Sequence, residues 1–334
     1  MEVFAGVDVG GTNIVCGLVT SAGQVVHKLK RPTEAGRGPD AVLERIAAMI
    51  EEAVASYRGE DGQPVTLAAA GIGLPGLVDP EEGIAKFAGN LGWRDLPAAS
   101  RLKARLQLPV FIDNDVRTYV FGEALYGAGA GTGHVIGVTI GTGIASAMVN
   151  EGSLFYGFRH MSGELGHIVM EGLSDPCPCG LTGCLETYAS ASGMVRQARK
   201  AIESGEPTVL RSWFPGERLA ELTAADLSRA YDQGDALAVS ILERAGSLLG
   251  QALSYAVSLN SPEMIIIGGG GALAGDRILK PLERELMSRI LPDYRDRLKI
   301  VPAMHNDDAG VTGSAMYAKH KYTALSGLIQ DSKA

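Results

Sequence analysis

One pattern in this sequence occurs twice. "FAGVDVGGTNIVCGLV" (residues 4–19) reads as an apolar strand, a glycine-rich turn and a second apolar strand, and "VIGVTIGTGIASAMV" (135–149) repeats it far downstream. Solenoid and propeller units recur every ~20–50 residues. The wider spacing here points to two domains of related topology facing each other. At 334 residues the chain has room for both.

Strands and helices alternate around the repeat. "QVVHKLKRP", "VTLAAAGIGLPG", "LPVFIDND" and "EMIIIGGGGAL" read as further strands. "DAVLERIAAMIEEAVASY", "VRTYVFGEALYG", "GDALAVSILERAGSLLGQALSYAVSLN" and "DDAGVTGSAMYAKHKY" read as helices. Such alternation predicts an α/β architecture. No Pro/Ser-rich linker separates the halves. The boundary is expected near "DNDV", with the last helix returning to the first domain: residues 1–115 with 310–334, and residues 116–309.

Composition narrows the class. The chain is 46% hydrophobic and 20% charged, with a formal charge of −8. This describes a globular protein with a substantial core. The acidic balance argues against general nucleic-acid binding. The N-terminus lacks the basic and apolar regions of a secretion signal, and no run approaches the ~20 apolar residues of a membrane span. The expected location is the cytoplasm, where thiols stay reduced and clustered cysteines are read first as metal ligands.

Three glycine turns follow buried strands. In "DVGGTN", Asp8 to Asn13, the turn Gly10-Gly11-Thr12 can offer backbone N–H groups and a hydroxyl to phosphate oxygens, and Asp8 can hold a hydrated magnesium. A tight hairpin explains the turn equally well when it is taken alone. "TIGTG", with Gly141, Thr142 and Gly143, is a second such turn. "IIIGGGG", with Gly268, Gly269 and Gly270, is a third. Three of them are harder to explain as hairpins only. The pattern GxxxxGK[ST] of a Walker A loop is absent.

Two acidic stretches complete the set. In "FIDNDVRTYVFGE", Asp115 falls where an apolar strand gives way to a helix. A helix cap is the simple reading. The helix N-terminus also favours the carboxylate, so Asp115 is expected to be ionised and able to take a proton from a hydroxyl. In "SGELGH", Glu164 and His167 share a short turn, upstream of Cys177, Cys179 and Cys184 in "CPCGLTGC". His167 and the three cysteines are four N/S donors, the complement of a closed structural zinc site. The spacing is not the paired CxxC of zinc ribbons, and by itself it leaves reduced thiols and zinc as alternatives.

Taken together, "DVGGTN", "GIGLPGLVD", "GNLGW", "NDVRTYVFGE", "TIGTG", "GELGH", "CPCGLTGCLE" and "IIIGGGG" resemble the ROK family of sugar kinases over nearly the whole chain. The resemblance implies two actin-like, ribonuclease-H-like domains with the active site in the cleft. It implies that Asp115 is the general base toward a sugar hydroxyl. Gly76, Asn90, Asn114, Asp115, Glu164, His167 and Glu186 would meet the sugar. Asp8, Gly10, Gly11, Thr12, Asn13, Gly141, Thr142, Gly143 and Gly268 to Gly270 would face ATP and its magnesium. A structural zinc on His167, Cys177, Cys179 and Cys184 would fix the 167–186 loop and place Glu164 and Glu186. This sequence departs from the family in "GGTN", where "GGTK" is frequent, and in the bulky residues after Asp115.

The expected activity is ATP-dependent phosphorylation of a hexose, D-glucose at its 6-hydroxyl foremost. Mannose, fructose, allose and N-acetylated hexosamines are the alternative acceptors within the resemblance, and polyphosphate the alternative donor. The family also holds sugar-sensing repressors with an N-terminal helix-turn-helix. Here the first phosphate turn begins at residue 8, which weighs against that reading. A homo-oligomer, dimer or tetramer, is expected, with neither nucleic acid nor membrane as partner.

Overall fold

The computed structural model describes residues 1–59, 62–305 and 308–331. Its elements run, in chain order, β1 (Glu2–Val9), β2 (Asn13–Thr20), β3 (Val25–Pro32), α1 (Pro39–Ser56), β4 (Thr66–Leu74), β5 (Leu77–Asp79), β6 (Ile84–Ala88), β7 (Trp93–Leu96), α2 (Ala98–Leu106), β8 (Val110–Asn114) and α3 (Asp115–Tyr126). They continue with β9 (His134–Ile140), β10 (Ile144–Asn150), β11 (Ser153–Leu154), α4 (Glu186–Ala189), α5 (Ala191–Glu203), α6 (Leu210–Trp213), α7 (Ala224–Asp232), α8 (Ala236–Asn260), β12 (Met264–Gly268), α9 (Asp276–Arg289), α10 (Pro292–Arg295), β13 (Lys299–Pro302) and α11 (Ala309–Asp331).

The chain divides into two compact units: Met1–Gly131 with Ala147–Ser162 and Met304–Ala334, and Thr132–Ser146 with Gly163–Ala303. The expected boundary falls at the start of α3. In the structure α3 packs on α11 and stays with the first unit. The last helix also lies in the first unit. Asp307, where that helix was expected to begin, and residues 332–334 lie outside the described residues.

The first unit is built on a five-stranded sheet in the order β3-β2-β1-β4-β8. β1 pairs antiparallel with β2 and parallel with β4. Both faces of β1 are covered, which explains its nearly unbroken apolar run. Val3, Ala5 and Val7 join a core with Ile46 and Ile50 of α1, while Phe4 joins Val311 and Ala315 of α11. α11 lies very close to the sheet. A Cβ on Gly6 would stand 1.9 Å from the Val311 carbonyl oxygen, and one on Gly71 would stand 1.8 Å from that of Ser314. Only glycine lets this helix seat itself behind the strands that carry the site.

A second five-stranded sheet has the order β11-β10-β9-β12-β13. β9 neighbours β10 across the second glycine turn and pairs parallel with β12, as β1 does with β2 and β4. The repeat seen in sequence is thus a repeat of topology. No helix of the described residues is long and apolar enough to cross a membrane.

Candidate active site

In the first unit the site is made where β1, β4 and β8 end. Asn114 caps α3: its Oδ1 accepts from the amides of Val116 (3.0 Å) and Arg117 (3.1 Å). Its Nδ2 donates to the Gly76 carbonyl and to Asp115 Oδ1, both at 3.0 Å. Gly76 has φ +85°, and a Cβ there would lie 2.2 Å from the Phe87 carbonyl oxygen, so this turn requires glycine.

Asp115 Oδ1 also accepts from the Val116 amide at 2.9 Å. The expected helix-start stabilisation is present, yet it does not prevail. Burial, then the charge of nearby Asp8, push the Asp115 carboxyl up to about 7. The expectation of a fully ionised Asp115 is corrected accordingly: near neutral pH it is poised between its two forms. Asp8 is itself pushed up by burial. It sits against the start of α11, where a Cβ on Gly310 would stand 2.7 Å from its Oδ2.

The first glycine turn lies beside these acids. Gly10 N donates to the Asn13 carbonyl at 2.9 Å, closing the turn, and Gly11 and Thr12 are exposed. Thr33, fully buried, clamps the turn from behind. Its hydroxyl donates to the Gly10 carbonyl at 2.6 Å and its amide to the Thr12 carbonyl at 2.8 Å. Asn90 flanks the turn: a Cβ on Gly11 would stand 3.3 Å from that of Asn90.

The second unit gathers the remaining residues. His167 and Cys177, Cys179 and Cys184 hold their ligand atoms within 4.8 Å of one another. Cys177 Sγ lies 3.7 Å from His167 Nδ1, and Cys179 Sγ lies 3.6 Å from Cys184 Sγ. The loop is folded by its own backbone. Met170 N donates to Gly183 O, Leu185 N to Ile168 O and Cys177 N to Leu181 O, each at 2.9 Å. His167 turns its other nitrogen, Nε2, toward Glu164 Oε2 at 3.8 Å.

Glu186 lies between the thiols and the second glycine turn. Its Oε1 is 3.7 Å from His167 Nδ1 and accepts from Cys177 Sγ at 3.2 Å; its Oε2 accepts from the Ile144 amide at 3.3 Å. A Cβ on Gly143 would meet that oxygen at 2.6 Å. Gly143 is therefore the gap that admits Glu186. The turn closes through Gly141 N donating to Gly143 O at 2.9 Å. Thr142 is exposed, and its carbonyl accepts from the Ser192 hydroxyl. Gly268 to Gly270 leave β12 beside this turn. Gly269, at φ +80°, would place a Cβ 2.6 Å from the Ile140 carbonyl oxygen.

Thus Asp8, Gly10 to Asn13, Gly76, Asn90, Asn114 and Asp115 group in the first unit. Gly141 to Gly143, Glu164, His167, Glu186, the three cysteines and Gly268 to Gly270 group in the second. Sequence reading missed four supports. Thr33 and Ser192 hold the two glycine turns. Glu123, 1% exposed, accepts from the Met304 and His305 amides and so fixes the approach to α11. Arg117, 5% exposed, pairs with Asp113 at 2.9 Å. The pair spans the end of β8 and the first turn of α3, so no helix-face spacing signalled it.

Comparison with known proteins shows the family and the fold. The family model described as "ROK family" matches residues 4–321. A glucokinase of Halalkalibacterium halodurans is 35% identical over 96% of both chains. Two solved structures superpose well. One is a ROK family glucokinase from Streptomyces griseus with glucose and AMPPNP: TM-score 0.80, 29% identity, covering 95% of this chain and 99% of that one. The other is a ROK family transcriptional regulator, a homologue of the E. coli MLC protein: TM-score 0.83, 28% identity, covering 96% and 78%. The fold is the two-domain, actin-like ATPase fold. Matched from near its start to residue 321, the chain belongs to the ROK family.

Proposed function

We propose that this ROK sugar kinase transfers the γ-phosphoryl group of ATP to a hexose, with the 6-hydroxyl of D-glucose as main acceptor and Asp115 as general base. The setting of Asp115 carries the reading. The carboxyl sits at the first residue of α3, pinned by Asn114 and the Val116 amide, and lifted to about 7 by burial and Asp8. A base of that strength matches the pH at which it works. The glucokinase relatives and the glucose-bound structure support glucose as the sugar.

Phosphoryl transfer asks for in-line positioning and charge neutralisation. Asn114 and Gly76 orient the sugar on the side of Asp115; Glu164, His167 and Glu186 bind its remaining hydroxyls. Hydrogen-bonding every hydroxyl is how such a site rejects an epimer, because a misplaced hydroxyl leaves buried partners unpaired. Asp115 takes the proton as the hydroxyl oxygen attacks. The two glycine turns present backbone amides to the phosphates. Magnesium, when bound with ATP, neutralises phosphate charge; Asp8 would hold it, and the mutual repulsion of Asp8 and Asp115 fits a site built for a cation.

Zinc fits the second unit. Four ligands at ~2.0–2.3 Å around a tetrahedral ion stand roughly 3.5–3.8 Å apart, and the two separations of 3.6 and 3.7 Å match. His167, Cys177, Cys179 and Cys184 would hold it. Its role is structural: it fixes the loop from which Glu164 and Glu186 reach the sugar.

The test is a coupled ADP-release assay over hexoses and N-acetylhexosamines. The expected outcome is turnover with glucose at the highest kcat/KM. Tight glucose binding with no ADP release would instead support a sugar-sensing regulator.

A further inference from the structure

We propose that the buried pair Asp113–Arg117, with Tyr156, is a positioning brace for sugar recognition. It fixes residues 156–160 against the end of β8 and thereby holds the Gly76–Asn114 side of the site. This rests on the sugar site described above. All of the residues in the brace belong to the first unit.

The pair is costly to bury, with side chains 0% and 6% exposed. Burying two charges needs nearly complete hydrogen bonding to break even. Asp113 has it. Oδ1 accepts from Arg117 Nη1 at 2.9 Å and from the Asn114 amide at 2.7 Å, and Oδ2 accepts from the Tyr156 hydroxyl at 2.7 Å. The Tyr317 hydroxyl stands 3.2 Å from that of Tyr156 and can donate to it. Arg117 Nη2 donates to the His160 carbonyl at 2.8 Å, and the guanidinium lies 5.4 Å from the Tyr156 ring centre. Simple fold stability would be better served by an apolar pair at these positions.

What the brace holds is a strained segment. Arg159 and His160 have φ of +54° and +58°, two consecutive left-handed residues that are not glycine. Such backbone persists only where its surroundings over-determine it. Phe158 is 85% exposed and adds little packing. The His160 ring stands edge-on to that of Tyr156 at 5.4 Å, and Arg117 fixes the His160 carbonyl.

The contacts close a ring around the sugar side. His160 Nε2 lies 3.5 Å from Asp79 Oδ1, on the strand that follows Gly76. The Gly76 carbonyl accepts from Asn114, the residue between Asp113 and Asp115. The path from Asp113 through Arg117, His160, Asp79, Gly76 and Asn114 returns to its start. A change at Arg117 therefore reaches Asn114 both along the chain and around the ring. Segment 156–160 also runs on, within a few residues, into Glu164.

The experiment measures steady-state kinetics of Arg117→Lys, Tyr156→Phe and Glu164→Ala, with trypsin cleavage after the exposed Arg159 followed by mass spectrometry. Lysine keeps the charge but cannot reach Asp113 and His160 together. Arg117→Lys should raise the KM for glucose roughly ten-fold, with the KM for ATP within about three-fold, because the ring holds the sugar side and not the glycine turns. Tyr156→Phe, the milder change, should raise it less, and it keeps the proposal testable should Arg117→Lys not fold. Cleavage after Arg159 should quicken in both. A purely structural role would lower the active fraction and leave the glucose KM of the folded enzyme unchanged. That result in Tyr156→Phe, or in a folded Arg117→Lys, overturns the brace while a raised KM in Glu164→Ala leaves the sugar site standing. If Glu164→Ala also leaves the glucose KM unchanged, the sugar site and the brace fall together.

Discussion

The two units carry the same hairpin and hold it by different means. In the first, the turn at Gly10–Asn13 is clamped by Thr33, and the acids beside it are set by backbone amides, by Asn114 and by the close approach of α11. In the second, the turn at Gly141–Gly143 leans on Glu186, and Glu186 leans on Cys177 and His167, two of the four N/S donors. The first is preorganised by hydrogen bonds and close packing within the protein itself. The other is a glycine-rich loop folded by its own backbone hydrogen bonds, with His167 and the three cysteines gathered at one point. On the proposed function this is a division of labour: the base sits in the first unit, and Glu164 and Glu186 sit on a loop that zinc would fix.

Several changes would break this contrast. The largest effect is expected from Asp115→Asn, which removes the proposed base and keeps the Asn114 cap. Turnover should fall by roughly 10²–10⁴-fold, as read by ADP release, with glucose affinity preserved. A variant with near-normal turnover would remove Asp115 from the chemistry.

Next in size is damage to the metal loop. Cys179→Ser, or chelation, should weaken glucose binding by roughly ten- to a hundred-fold, the value of hydrogen bonds to charged groups such as Glu186. Elemental analysis of the native protein should give one zinc per chain, and full glucose affinity without zinc would separate the loop from the sugar site.

The pH profile is a smaller effect. As the proposed base, Asp115 would act as the carboxylate, so kcat/KM for glucose should fall about ten-fold per unit as pH drops below about 7. A profile flat down to pH 5 would contradict the raised carboxyl.

The smallest effect is on stability, and its sign is specific. A carboxyl whose folded-state pKa is raised penalises the fold fully above that pKa, and the penalty fades as pH falls toward the unfolded value. Asp115→Asn should therefore melt at the same temperature as the native enzyme or a few degrees higher at pH 8, at roughly 2 °C per kcal/mol relieved. The difference should vanish near pH 4. A clear destabilisation at pH 8 would mean that Asp115 is held for structure.

Much of this was legible before any coordinates. The glycine turns, "DND" and the His/Cys cluster lie in short contiguous stretches, where residue type and spacing already express the local chemistry. The supports were not. Thr33 reaches back to Gly10, Glu123 meets the amides of Met304 and His305, and Arg117 meets Asp113, Tyr156 and His160. These partners mostly lie far apart in the chain, and only folding makes them neighbours. The state of Asp115 is not legible in the sequence for a related reason. A sequence displays the helix start, but not the burial or the approach of Asp8 from β1, and those two outweigh it.

The account stands or falls on whether the groups of the first unit and those of the second can be disabled independently. Calorimetric titration of glucose, without nucleotide, into native, Asp115→Asn and zinc-stripped protein tests this directly. Affinity is expected to be kept in Asp115→Asn, within about three-fold, and to drop by at least about ten-fold on zinc removal. Equal affinity in the native and zinc-stripped proteins, or loss of binding in Asp115→Asn alone, would contradict it.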